Sequence, residues 1–227
     1  MSETIRELRL RVSEQAGEVT ALLQCPNAER WLLFLAHGAG ADMRHPFMET
    51  VASRLAARQI ATLRYQFPYM EQGRRSPSPR KALLATVRAA VAAGVEEVDG
   101  RPLLAGGKSM GGRMTSLAHS EAPLPGVKGL VFFGFPLHAA CRPSDERGAH
   151  LADVDVPMLF LQGTRDKLAE LALLRPLCKA LGARATLHVV EGGDHSFRVL
   201  RRSDRSDDDV LDEICNAVRE FAEEVAG

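Results

Sequence analysis

The stretch Leu103–Gly112, LLAGGKSMGG, decides the fold because two incompatible motifs overlap in it. Its GGKS letters resemble the end of a phosphate-binding P-loop, whose pattern G-x-x-x-x-G-K-[ST] requires a glycine at position 102. That position is Pro102, and apolar residues continue up to the glycines, where a P-loop needs a flexible segment that wraps a phosphate. The sequence therefore disfavours a nucleotide-binding site.

The same letters also fit G-x-S-x-G, a sharp turn between a strand and a helix that presents a nucleophilic serine. Such a turn needs small residues two before and two after the serine, because the strained backbone brings the chain close to itself. Gly107 and Gly111 meet this need, and a helical pattern follows, so that a helix N-terminus would point at Ser109. We predict that Ser109 is a nucleophile; a simple helix cap is the alternative.

Two later strand ends supply the partners that a nucleophilic serine needs, an acid and then a histidine. Asp166 follows one apolar run and His195 follows the next. His195 would take the serine proton, while Asp166 would orient the imidazole and stabilise its charged form. Asp194 is a competing acid, but it adjoins His195 in the chain and would struggle to reach the same ring. The predicted triad is Ser109, Asp166 and His195.

An oxyanion hole is predicted in the small-residue turn His37–Ala41, HGAGA, which follows another apolar run. The N–H groups of Ala39 and Met110 would hold the developing oxyanion, which is worth roughly 3 kcal/mol per donor. Gly40 could take the place of Ala39 in this role. His37, which precedes the turn, is interpreted as orienting it through a hydrogen bond.

Three residues are candidates for contact with the substrate: Lys108, Tyr69 and Arg74. A cation at Lys108, with Arg74 from a rim loop, would favour an anionic acyl or leaving group. A solvated or salt-bridged lysine that points away from the pocket is the alternative for Lys108, and the usual exposure of lysine favours it. Tyr69 either lines the pocket or packs beneath the loop, and the sequence leaves both open.

Apolar runs alternate with helical patterns along the chain, and the runs are continuous, as strands buried on both faces require. This predicts an α/β fold with a mostly parallel, doubly wound sheet and helices on both faces. The 227 residues are expected to form a single domain, residues 1–227. The predicted elements are an opening hairpin (Glu7–Val12, Glu18–Gln24), strands near Trp31–Ala36, Ala61–Phe67, Pro102–Ala105, Gly129–Phe135, Pro157–Gln162 and Ala185–Val190, a leucine-rich helix over Leu168–Leu181, and a last helix capped by Ser206 or Asp207.

Composition excludes several classes of partner. Lys plus Arg equals Asp plus Glu at 29 each, so neither nucleic acid nor an anionic membrane is an expected partner. Apolar runs are too short to span a bilayer and the first residues carry charges, so a cytoplasmic protein is expected. The four cysteines show no C-x-x-C pair, which gives no indication of zinc or of a disulfide framework.

Four motifs, HGAGA, GGKSMGG, QGTRD and GGDHSF, lie between Trp31 and Phe197 and together resemble the α/β-hydrolase superfamily. GGKSMGGR and FPYMEQGRR are most similar to its small, lidless KANL-type and dienelactone-hydrolase-like branch. The resemblance implies an eight-stranded sheet with an antiparallel second strand, the triad above, and cofactor-free hydrolysis of a carboxylic ester or related bond. True dienelactone hydrolases use a cysteine nucleophile, where this sequence has Ser109.

The sequence therefore predicts a serine hydrolase that acts on small, accessible acyl substrates through an acyl-enzyme and needs no cofactor or metal. No stretch is long enough for a helical lid. Thioester cleavage and acyl transfer use the same triad and remain open. An alternative of another class is a hydrolase-fold module that binds a protein partner, and a homodimer is also left open.

Overall fold

In the computed structural model, which describes residues 3–97 and 100–226, the chain forms one eight-stranded β-sheet. The predicted hairpin and all six later strands are present, with ends that differ by a few residues. The strands are β1 (Glu3–Ser13), β2 (Gly17–Pro26), β3 (Trp31–Ala36), β4 (Ile60–Tyr65), β5 (Leu103–Lys108), β6 (Val127–Phe133), β7 (Met158–Gly163) and β8 (Ala185–Val190).

The order of strands across the sheet is β1-β2-β4-β3-β5-β6-β7-β8. Strand β2 pairs antiparallel with both β1 and β4, and every later pair is parallel. The predicted mostly parallel sheet with an antiparallel second strand is confirmed. Because parallel strands end at the same edge, the loops after β3, β5, β7 and β8 meet there.

Strand β5 extends three residues beyond its predicted end at Ala105. Glycine is a poor strand former, so the pattern alone ends the strand too early. Here the missing side chains are what allow the pairing: a Cβ on Gly106 would lie 1.9 Å from the carbonyl oxygen of Val131 on β6. The strand therefore runs directly into Ser109.

Helices cover both faces of the sheet, as predicted. Apolar side chains of the first and last helices pack on one face, and those of the third, fourth and fifth helices pack on the other. Over the residues that the model describes, no helix combines the length and the apolarity needed to cross a bilayer. The helices are α1 (Pro46–Ala56), α2 (Pro68–Glu71), α3 (Arg80–Glu97), α4 (Met110–Glu121), α5 (Leu171–Leu181) and α6 (Asp207–Ala226), and 3-10 turns span Glu146–Asp153 and Gly182–Arg184.

The ends of the last two helices refine the predictions. Helix α5 begins at Leu171, and Leu168 instead lies in the preceding loop, where its N–H donates to Asp166 Oδ1 at 2.8 Å. At α6, Ser206 is the cap: its Oγ accepts from the Asp209 N–H at 3.1 Å, and its own N–H donates to Asp209 Oδ2 at 2.8 Å.

Candidate active site

The elbow between β5 and α4 holds Ser109 in a strained conformation, with φ 51° and ψ −116°. Its N–H donates to the carbonyl oxygen of Phe133 at 3.2 Å. A Cβ on either Gly107 or Gly111 would lie 2.4 Å from the carbonyl oxygen of Ala36. The glycines are therefore required by contact with β3, whereas the sequence interpretation attributed them to contact of the turn with itself.

The predicted acid and base lie in contact at the next strand ends. His195 Nδ1 is 2.7 Å from Asp166 Oδ2. Burial alone would raise the pKa of Asp166, but the hydrogen bond and charge of His195, with the Leu168 N–H, outweigh it and hold the pKa below its usual value. Asp166 is thus an ionised acceptor for the Nδ1 proton, which leaves Nε2 of the ring to act as the base.

Gln162 is a supporting residue that the sequence interpretation missed. This fully buried side chain donates from Nε2 to Asp166 Oδ2 at 2.5 Å, and its Oε1 accepts from the Phe135 N–H at 3.1 Å. Gln162, near the end of β7, therefore holds the Asp166 carboxylate in place. The signal was present in QGTRD, as one polar residue at the end of an otherwise apolar strand.

The competing acid, Asp194, has a different task. Its Oδ1 accepts from the N–H groups of Ser196 and Arg198 at 2.8 and 2.9 Å, so it shapes the loop that carries His195. The structure pairs the histidine ring with Asp166.

The predicted oxyanion turn lies over the nucleophile, since a Cβ on Gly38 would be 3.7 Å from Ser109 Cβ. His37 orients this turn: its Nδ1 is 2.9 Å from the Gly38 carbonyl oxygen, and its Nε2 accepts from the Phe67 N–H at 3.1 Å. The ring is fully buried, and burial lowers the pKa of His37 to about 4. A neutral His37 therefore connects the turn to the segment after β4.

Ala39, one of the two predicted oxyanion donors, lines the cavity that also holds Ser109. Met110, the other, is the first residue of α4 and directly follows Ser109. Over the described residues 3–97 and 100–226, the Ala39 N–H donates to no main-chain carbonyl outside the helices and strands. At the first position of α4, the Met110 N–H has no acceptor within the helix. Both remain available to a ligand.

A cavity of about 640 Å³ brings several of these groups together. Its remaining wall comes from the start of α1, the loop after His195 and the start of α6, which the sequence interpretation did not assign to the site. The lining residues are Gly38, Ala39, Ala41, His45, Pro46, Phe47, Met48, Thr50, Lys108, Ser109, Leu168, His195, Ser196, Phe197, Arg198, Asp207 and Leu211.

Lys108 lines this cavity, so the alternative of a solvated lysine pointing away is wrong. Its Nζ donates to the carbonyl oxygen of His195 and lies 5.7 and 5.4 Å from the ring centres of Phe47 and Phe197. Burial lowers the pKa of Lys108 to about 8, although Asp166 and Asp194 act in the opposite direction.

The other two candidate substrate contacts lie elsewhere. Tyr69 is fully buried on α2, with its ring 6.0 Å from that of His37 and 6.5 Å from that of Phe67, and so packs beneath the loop. Arg74 is exposed and directs its guanidinium to Ser78 Oγ at 3.4 Å. Neither side chain lines the cavity in the part of the chain that the model describes, so the structure does not support a substrate-binding role for them.

A serine on a sharp strand-to-helix turn and a histidine–carboxylate pair, at one edge of a parallel sheet, are typical of α/β-hydrolases. The chain belongs to the α/β-hydrolase family, because the sequence model of an alpha/beta hydrolase domain family matches residues 29–223.

Solved structures share the fold. A dienelactone hydrolase from Anabaena variabilis is 19% identical, with a TM-score of 0.79 and 99% of each chain covered. An α/β serine hydrolase without a lid from Xanthomonas campestris is 19% identical, with a TM-score of 0.73 over 96% of this chain and 94% of the other. A cold-adapted esterase from an Arctic intertidal metagenomic library is 20% identical, with a TM-score of 0.68 over 97% and 94%.

Proposed function

We propose that this protein is a serine hydrolase that cleaves carboxylic esters of small acyl groups through an acyl-enzyme. The observation that carries the proposal is the 2.7 Å distance between His195 Nδ1 and Asp166 Oδ2. The same imidazole ring lines one cavity with Ser109, whose backbone is strained. A cold-adapted esterase and a serine hydrolase without a lid are among the proteins of the same fold.

The proposed reaction has two halves. Ser109 Oγ attacks the ester carbonyl carbon while His195 Nε2 takes the hydroxyl proton, and the N–H groups of Ala39 and Met110 hold the oxyanion. The tetrahedral intermediate collapses, the alcohol leaves with the proton from His195, and the acyl group stays on Ser109. Water, deprotonated by the same ring, then attacks the acyl-enzyme and releases the carboxylic acid. Asp166 stabilises the imidazolium formed in each half.

The size and lining of the cavity suit a small acyl group. Its volume of about 640 Å³ lies within the range typical of small-molecule sites, and Phe47, Met48 and Leu211 give it apolar surface. His45, Ser196 and Arg198 are exposed at its rim, so a substrate can enter from solvent.

The first test is labelling with a fluorophosphonate probe, followed by peptide mapping. We expect one adduct on Ser109, none in Ser109→Ala, and a full adduct in Ser196→Ala, the matched control because Ser196 lines the same cavity. Hydrolysis of short-chain p-nitrophenyl esters should fall roughly a million-fold in Ser109→Ala. An unlabelled protein, or a label that survives Ser109→Ala, would refute the nucleophile.

A further inference from the structure

The side chain of Lys108 is partly buried in the wall of the cavity. A lysine charge is seldom placed among apolar side chains without a specific partner. Here it lies beside the rings of Phe47 and Phe197, and its hydrogen bond goes to the main chain of His195. Lys108 directly precedes the nucleophile, so this bond joins the strand that carries Ser109 to the loop that carries the base.

The same ammonium is also close to the imidazole. A Cβ built on Gly134 would lie 3.0 Å from Lys108 Nζ and 3.3 Å from His195 Nδ1, so both nitrogens surround one small space. The other charged or titratable groups around them are the carboxylates of Asp166 and Asp194, and the side chains of His45, Arg198 and Asp207 in the cavity wall. The Asp166 carboxylate is already hydrogen-bonded to the His195 ring, and the Asp194 carboxylate already accepts from the N–H of Ser196 in its own loop.

From this arrangement, and resting on the proposed function, we infer that Lys108 is a positioning residue of the triad. It ties the His195 main chain to the nucleophile strand, and as a nearby cation it favours the neutral imidazole that a general base requires. A positive charge about 6 Å from a ring disfavours its protonation by about one pH unit at an effective dielectric constant of about 40, a value between those of a protein site and water that suits two partly exposed side chains.

The charge of Lys108 is present over the pH range in which it matters. Its pKa of about 8 lies above the ordinary histidine value of 6.5. The ammonium is therefore still charged when an imidazole takes up its proton, and the effect belongs on the acid side of the activity profile.

Three substitutions separate the charge from the hydrogen bond. Lys108→Met removes both, Lys108→Gln keeps a donor without a charge, and Lys108→Arg keeps the charge. Lys128→Met is the control, because it removes one exposed lysine charge from β6, outside the cavity. The rate of fluorophosphonate labelling of Ser109 is measured against pH for each protein, with the titration of the His195 ring followed by NMR and assigned through His195→Gln.

We expect the acid limb and the midpoint of the ring titration to move up by about one pH unit in Lys108→Met and Lys108→Gln, and to stay in place in Lys108→Arg and Lys128→Met. At a pH below the limb, labelling of the two neutral variants should be about tenfold slower. Unchanged midpoints in a folded neutral variant would overturn the inference. If Lys108→Met does not fold, Lys108→Gln carries the test. A wild-type protein that is not labelled would instead refute the proposed function, and its ring titration would still test Lys108.

Discussion

Acidification should destabilise the folded protein through His37, a buried ring that is hydrogen-bonded to the turn at Gly38. The folded protein keeps this ring neutral, with a pKa of about 4, whereas the unfolded chain has the ordinary value of 6.5. Because the folded pKa is the lower of the two, the unfolded state binds the proton first. Stability is therefore lost as the pH falls from about 6.5 towards about 4, and no more is lost through this ring below that.

The magnitude follows from the two pKa values. Between about pH 7 and about pH 5, linkage gives a loss of about 2 kcal/mol in the free energy of unfolding from His37. Burial also lowers the pKa of His150 to about 4, which adds a second contribution of the same sign and similar size.

Urea unfolding at the two pH values measures this loss in the wild type and in His37→Gln. The variant should be less stable at about pH 7 by about 1–3 kcal/mol, because the Phe67 N–H loses its acceptor. Its further loss on acidification should be about 2 kcal/mol smaller than that of the wild type. His45→Gln, which replaces an exposed ring, is the control. An equal loss on acidification in His37→Gln and wild type would refute the argument that burial of His37 sets the acid sensitivity.

Two further predictions concern the elbow and the acid. Gly107→Ala would place a Cβ 2.4 Å from the Ala36 carbonyl oxygen. We expect it to lower the melting temperature by the equivalent of about 3 kcal/mol or more and to abolish fluorophosphonate labelling. Gly73→Ala, which has open space but a positive φ, should cost only about 1–2 kcal/mol. Asp166→Asn should lower kcat on p-nitrophenyl esters about ten-thousand-fold, whereas Asp194→Asn should lower it far less, and equal losses would contradict the assignment of the acid.

The fold could be predicted because its signals are local. The apolar run Trp31–Ala36 has the same bounds in the structure as in the sequence interpretation, since a strand covered on both faces excludes polar residues until it leaves the sheet. Strand β5 was predicted three residues too short at its carboxyl end, because its pairing there depends on glycines, which have no side chain to mark a strand in the sequence pattern.

The site was only partly predictable. Chain order and strand ends were enough to nominate Ser109, Asp166 and His195, because a doubly wound sheet collects the ends of its parallel strands at one edge. Gln162 was missed because its role depends on the hydrogen bond from its side chain to Asp166, and the sequence pattern does not reveal which residue that side chain contacts. The sequence left open whether Tyr69 lines the pocket or packs beneath the loop. In the structure Tyr69 lies on the four-residue helix α2, and its ring is fully buried.

By itself the sequence determined that LLAGGKSMGG is an elbow, because Pro102 excludes the phosphate loop and Gly107 and Gly111 flank Ser109 at the spacing of the elbow motif. Only the tertiary structure decided what Lys108 does. Its ammonium reaches a carbonyl 87 residues away in the chain, between rings contributed by α1 and by the loop after β8. Local patterns describe how a residue meets its neighbours along the chain, but the partner of a long side chain is set by which distant segments the sheet brings within its reach.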